Sequence, residues 1–205
     1  MRREAQTNSV RSLERLYSTV VGLALSLALL RVIAVERDAG PIRWDLLPLF
    51  FAYLVTLIPF YHGALRHLDS TYVEHGGREV RPGALLLDFV MLFLESCLLF
   101  TMAALLPSAR LFSIALLALL SFDAVWGFVA WTGLSQRASG GAELRWSAIN
   151  AVAAAALFAV LGLIGAFGAG GPMLESPLRW VLPSLCWIRT LADYAWCWAY
   201  YYPSA

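Results

Sequence analysis

The chain has 205 residues, of which 60% are hydrophobic and 14% are charged, and its mean hydropathy is +0.68. This balance is too apolar for an ordinary globular domain, so the composition excludes a protein whose main solvent is water. The net charge is +1, and every one of the 15 basic residues is an arginine. Because there is no lysine, cofactors bound as a lysine Schiff base are excluded, and we expect no cofactor.

Six apolar stretches predict an all-α polytopic membrane protein with one transmembrane domain over residues 1–205. A spanning helix needs about 20 mostly apolar residues. The predicted spans are 16–35, 46–64, 84–106, 111–133, 147–168 and 178–201. A short cytoplasmic segment, residues 1–15, precedes the first span. Pro59 and Pro183 fall inside the second and sixth, where each is expected to free a backbone carbonyl for a neighbour or an ion.

The arginines predict the orientation of the chain. Most of them lie in the N-terminal segment and in the connections 67–82 and 135–145, which share one side of the membrane. By the positive-inside rule, both termini are cytoplasmic in a bacterial inner membrane. Five tryptophans fall near predicted span ends, as in an interfacial aromatic belt: Trp44, Trp131, Trp146, Trp180 and Trp198.

Five ionisable residues lie within the predicted spans, where each costs at least about 2.5 to 3.5 kcal/mol. They are Asp88, Glu95, Asp123, Arg189 and Asp193. The last four fall near mid-membrane depth and are expected to form one polar cluster, in which Arg189 and Asp193, four residues apart, pair directly. Four acids against one arginine favour a cation or proton pathway. The alternative is a structural role, with the polar groups joining helices.

Two histidines flank an arginine at the cytoplasmic end of the second span. His62, Arg66 and His67 would sense or relay protons there, since histidine titrates near neutral pH. The alternative is that they anchor the helix at the membrane interface. A spacing of five residues does not suit a helical metal pair, and no metal site is predicted.

The first span carries a stripe of small residues at spacings of four, Ser18, Gly22 and Ser26. Such stripes let membrane helices approach each other closely. If the same face met its copies around a symmetry axis, it would instead line a narrow pore.

The run from Glu14 to Val21, with Tyr17, Ser18 and Thr19 at its centre, resembles the Phe-Ser-Asp signature of a known channel family. The helix that runs from Leu46 through Tyr61 to His67 resembles the second span of the same family. The family comprises the bacterial relatives of the lysosomal potassium channel. The resemblance implies a symmetric homo-oligomer, with a tetramer favoured, whose first helices surround the ion path. It also places the apolar constriction near Ala24.

These observations together predict an oligomeric channel for potassium or protons that is not an enzyme. One alternative is a membrane effector or interaction subunit that meets a cytoplasmic protein through the connection 67–82. Another is a lipid-modifying enzyme using His62, His67 and Asp69, for which no recognised catalytic spacing is present. The expected partners are membrane lipid and further copies of the chain, without nucleic acid.

Overall fold

The computed structural model describes residues 2–33, 42–74, 82–133, 141–165 and 175–203, and this part of the chain is all-α. Each of its six long helices contains most of one predicted span, which confirms the predicted fold class. The helices are α1 (Arg2–Val32), α2 (Leu47–Leu68), α3 (Pro82–Ala104), α4 (Ala109–Gly133), α5 (Ala142–Leu163) and α6 (Glu175–Tyr201). Helix α1 therefore also covers most of the segment predicted to precede the first span.

The six helices form a closed ring in which α1 packs against α3, followed by α4, α5, α6 and α2, which returns to α1. Contacts between paired residues show that α3 and α5 begin at the same end where α2, α4 and α6 finish. We call this the proximal end, and the opposite one the distal end. That the proximal end faces the cytoplasm stays a prediction from the arginines.

The surface of the bundle is apolar and its interior is partly charged, the reverse of a soluble protein. Large apolar side chains that are more than half exposed occur on several helices, among them Leu30, Val125, Val152, Ile188 and Leu191. Helices α1 to α5 are long and apolar enough to cross a bilayer. Helix α6 is equally long but carries Arg189 and Asp193 on its buried side. The chain is therefore a multi-pass integral membrane protein.

One regular face of α1 packs into the ring. It comprises Val10, Leu13, Tyr17, Val21, Ala24, Ala28 and Val32. Gly22 and Ser26 lie on the exposed side of the helix, and the Ser26 hydroxyl donates to the Gly22 carbonyl at 2.8 Å. Ser18 is half-buried and its hydroxyl is 3.0 Å from that of Tyr61 in α2. Ser18 is therefore the one residue of the stripe of small residues whose side chain forms a hydrogen bond with another helix.

Pro59 interrupts the hydrogen bonds of α2 in the middle of the bundle. It cannot donate to the carbonyl of Val55, four residues earlier. That oxygen instead accepts a hydrogen bond of 2.9 Å from the hydroxyl of Thr190 in α6. The prediction that Pro59 frees a carbonyl for a neighbour is confirmed, and the bond holds α6 against α2 at this level.

The connection 67–82, whose polar sequence predicts a solvated loop, is helical for its first part. Residues Asp69–Glu74 continue α2 as a wider π-helical turn. Ser70 and Tyr72 are buried. The Ser70 hydroxyl forms a hydrogen bond of 2.8 Å with that of Tyr200, and Tyr72 donates to Asp88. Prediction of a loop was therefore wrong over residues 67–74. The remainder of that connection, residues 75–81, lies outside the described residues.

Candidate functional site: a polar cavity inside the bundle

The ring encloses a cavity of about 50 Å³ in the proximal half of the bundle. A cavity of this size has room for roughly four water molecules. Five helices, α2 to α6, contribute to its lining. The ionisable side chains that border it are His67, Glu95, Asp123, Glu143, Arg189 and Asp193, with the Tyr201 hydroxyl group beside them. The predicted meeting of Glu95, Asp123, Arg189 and Asp193 in one polar cluster is therefore confirmed.

Arg189 is the centre of the mid-membrane part of this cluster. Its Nη1 lies 3.5 Å from Asp193 Oδ2, which confirms the pair predicted from their spacing. Its Nε donates to Asn150 Oδ1 at 2.8 Å, and the Asn150 amide donates in turn to Asp123. The guanidinium carbon is 4.6 Å from the centre of the Phe60 ring. One cation thus interacts with two acids, one directly and one through an amide.

Tyrosine hydroxyls also donate to these acids. Tyr17 of α1 donates to Glu95 Oε1 at 2.6 Å, and both groups are buried. Tyr201 donates to the two carboxylate oxygens of Asp193, at 3.1 Å each. Because hydrogen-bond donors stabilise a buried acid, these bonds contribute to the tolerance of the bundle for Glu95 and Asp193 at this depth.

A second group of polar side chains lies between the cavity and the proximal end, with His67 at its centre. His67 Nε2 is 3.3 Å from Asp88 Oδ2, and Nδ1 is 3.8 Å from Glu143 Oε1. Tyr72 donates to Asp88, whose other oxygen, Oδ1, has no hydrogen-bond partner among the described residues. Asp88 does not line the cavity. It is connected to the cavity through His67.

His62 and Arg66 have a different environment from His67. The Nδ1 atom of His62 is 3.1 Å from the Tyr194 hydroxyl, and its ring centre is 4.6 Å from that of Tyr201. Arg66 Nε donates to the carbonyl of Tyr200 at 2.8 Å. Both residues hold α2 against α6 and neither borders the cavity. The structure thus brings only His67 of the three predicted residues to the site.

The tryptophans divide in a similar way. Trp44, Trp180 and Trp198 are 72%, 70% and 60% exposed, as expected of an interfacial belt. Trp146 instead borders the cavity, where its ring packs edge-on against that of Tyr200 with 4.9 Å between centres. The prediction that Trp146 belongs to the interfacial belt therefore missed its position beside the cavity.

The sequence did not identify two site residues that carry a charge or an amide, Glu143 and Asn150, or the tyrosine donors Tyr17, Tyr72 and Tyr201. Glu143 was assigned to a connection, but α5 begins at Ala142 after Gly141, whose φ of +81° suits glycine. Gly127 of α4 then allows close approach, since a Cβ there would lie 2.9 Å from the Glu143 carbonyl oxygen. Asn150 carried a usable signal, because a polar amide at mid-span depth requires partners just as a charge does.

The distal half of the interior is apolar. Each of these residues is at most 1% exposed: Leu99, Leu116, Leu119, Leu157 and Leu182. Thr56 and Ser113, which are buried in the same half, donate to carbonyls of their own helices. Among the described residues, no buried Asp, Glu, His or Arg lies here. The polar interior thus runs from the proximal end to mid-depth and stops at a layer of leucines.

Compared with known proteins, the chain matches no family model, no curated protein and no solved structure. Its resemblance to the bacterial relatives of the lysosomal potassium channel therefore stays a prediction from the first two spans.

Proposed function

We propose that the protein moves small cations across the membrane through the polar cavity of its own six-helix bundle. One observation carries the proposal: four acids and a single arginine border one cavity that extends from the proximal half of the bundle to mid-membrane depth. When all five are ionised, three negative charges are left uncompensated. A proton or a metal cation entering the cavity would offset that excess, which is costly in a medium of low dielectric constant.

The two halves of the interior would then have different roles. A cation would enter from the proximal side, past His67, and reach Glu95 and Asp123 at mid-depth. The leucine layer beyond them would form the gate, because an apolar constriction blocks ions when it is not hydrated. In this interpretation the protein acts by transport and catalyses no chemical conversion.

Cation flux into liposomes containing the purified protein tests the proposal. We expect Glu95→Gln to lower the flux about tenfold, equivalent to about 1.4 kcal/mol in the barrier. The amide removes a negative charge but can still accept the Tyr17 hydrogen bond, so the fold is retained. Asp45→Asn is the matched control, since Asp45 is an exposed acid near the distal end and pairs with Arg43 and Arg179.

Two results would contradict this proposal. One is a wild-type protein that passes no cation at any pH or voltage. The other is a Glu95→Gln variant that conducts as well as the Asp45→Asn variant.

A second candidate is an ion path between several copies of the chain, around their first helices, as the family resemblance implies. The observation that favours it is the position of Gly22 and Ser26 on the exposed side of α1, where a copy could meet them. Ala24, at the position of the family's constriction, is instead buried inside the bundle. We therefore prefer the path through the bundle to the path between copies of the chain.

Gly22→Leu distinguishes the two routes. No atom lies within 4 Å of a Cβ added at Gly22, so the bundle itself accommodates the larger side chain. We expect flux close to that of the wild type for this variant, because the proposed path does not touch Gly22. If Gly22→Leu abolishes flux while Glu95→Gln leaves it intact, the path lies around the first helices instead. Cross-linking of both variants in the membrane would establish whether oligomers form.

A further inference from the structure

His67 lines the cavity and also contacts Asp88, a buried acid outside it. It is 6% exposed and its two ring nitrogens face different carboxylates, Asp88 of α3 and Glu143 of α5. Its ring borders the cavity while Asp88 does not. An imidazole with one acid on each nitrogen can accept a proton on one side and release it on the other.

We propose that His67 is a proton relay at the proximal mouth of the cavity and that the cation carried by this bundle is the proton. This inference rests on the proposed transport function and specifies its substrate. The acids that border the cavity beyond His67 can each accept and release a proton, as in the Asp, Glu and His chains of membrane proton relays.

The groups around His67 define the relay. Tyr72 from the π-helical turn donates to Asp88 on the proximal side. On the cavity side, the other helices contribute these titratable or charged groups: Glu95 of α3, Asp123 of α4, Glu143 of α5, and Arg189, Asp193 and Tyr201 of α6. The path therefore continues from His67 to Glu95, where the Tyr17 hydroxyl marks the start of the apolar layer.

The proton transfer balances without any further reagent. Neutral His67 accepts a proton on Nε2 from the Asp88 carboxyl, which becomes a carboxylate. The imidazolium then releases its Nδ1 proton to the Glu143 carboxylate through water in the cavity, because 3.8 Å between Nδ1 and Glu143 Oε1 is too long for a hydrogen bond. Asp88 regains a proton from the proximal side. The neutral ring, now with its proton on Nε2, rotates so that this proton faces the cavity, which restores the starting arrangement. One proton has moved from the proximal side into the cavity, and no electron has changed place.

Two buried polar atoms provide a second observation. Asp88 Oδ1 has no hydrogen-bond partner among the described residues, and Arg189 Nη1 has only its ion pair of 3.5 Å with Asp193; their side chains are 1% and 5% exposed. Buried polar atoms of this kind are usually satisfied by water. A cavity of about 50 Å³ bordered by Arg189 can hold the water chain along which protons pass.

The test measures proton flux and potassium flux separately in liposomes containing the full chain. Proton flux is followed with an internal pH dye, and an added potassium ionophore balances charge in that assay only. We expect the wild type to pass protons and His67→Ala to lose about nine-tenths of that flux. Imidazole in the buffer should restore it, because the small ring fits the space left by the side chain. His67→Gln, which fills the site but does not relay protons, should also lose flux.

His62→Ala is the matched control on the same helix. His62 contacts Tyr194 and Tyr201 and does not itself border the cavity, so proton flux should stay at the wild-type level without a response to imidazole.

The possible failures of the relay and of the transport function can be told apart. Potassium flux without proton flux in the wild type would overturn the relay and leave cation transport standing. A wild type that passes neither ion would overturn both. Wild-type proton flux in His67→Gln would also reject the relay. This variant decides the matter if His67→Ala does not fold.

Discussion

Arg189→Met is expected to lower the free energy of unfolding by about 3 to 5 kcal/mol, the range for breaking a buried ion pair by removing one partner. Arg189 is the only buried arginine among the described residues. It pairs with Asp193 and reaches Asp123 through Asn150. Methionine fills most of the volume but leaves both acids without their cation. Unfolding of the purified protein, titrated with a denaturing detergent, measures the change.

Arg179→Met is the appropriate control for this substitution. Arg179 lies on the same helix, but it pairs with Asp45 at the surface. Such exposed pairs contribute at most about 1 kcal/mol, so little change is expected. Adding Asp193→Asn to Arg189→Met should recover part of the lost stability, because it removes one uncompensated carboxylate. If Arg189→Met unfolds at the wild-type detergent concentration, the acids are neutral without Arg189 and the charge excess invoked for transport does not exist.

Much of the site was predictable because charged residues are rare in apolar segments. Asp123 and Arg189 were identified from their cost in lipid, and the pair of Arg189 with Asp193 followed from helical spacing. The freed carbonyl near Pro59 was predictable for a similar reason, since a missing backbone donor is a local property. The sequence did not identify the donor to this carbonyl, which is Thr190 of a distant helix.

The parts that were missed depend on contacts between helices. The proximity of α1 to α3 has no local signal, so the sequence did not indicate that Gly22 would be exposed while Tyr17 faces Glu95. Residues 69–74 look like a loop because they are polar, yet Tyr72 is buried against Asp88. Glu143 was missed because the start of α5 depends on the backbone conformation of Gly141, which the sequence pattern does not show.

Leu99→Ser is expected to raise cation flux about thirtyfold if the apolar half of the interior is the gate. Leu99 is fully buried on α3, four residues beyond Glu95 and therefore about 6 Å closer to the distal end. Replacing this side chain by a hydroxyl lowers the cost of hydrating the layer by about 2 kcal/mol, which corresponds to that factor in rate. The same liposome assay measures the change.

Leu94→Ser, on the lipid-facing side of the same helix, separates this effect from a general loosening of the bundle. Leu94 is 44% exposed, so its replacement should leave flux unchanged. Leu99→Ala removes a similar volume without adding a polar group, and its flux should rise less than that of Leu99→Ser. If both Leu99 variants conduct like the wild type while Glu95→Gln has lost flux, cations reach the acids but leave by another way. The leucine layer would then insulate the charged cavity from the distal side without gating it.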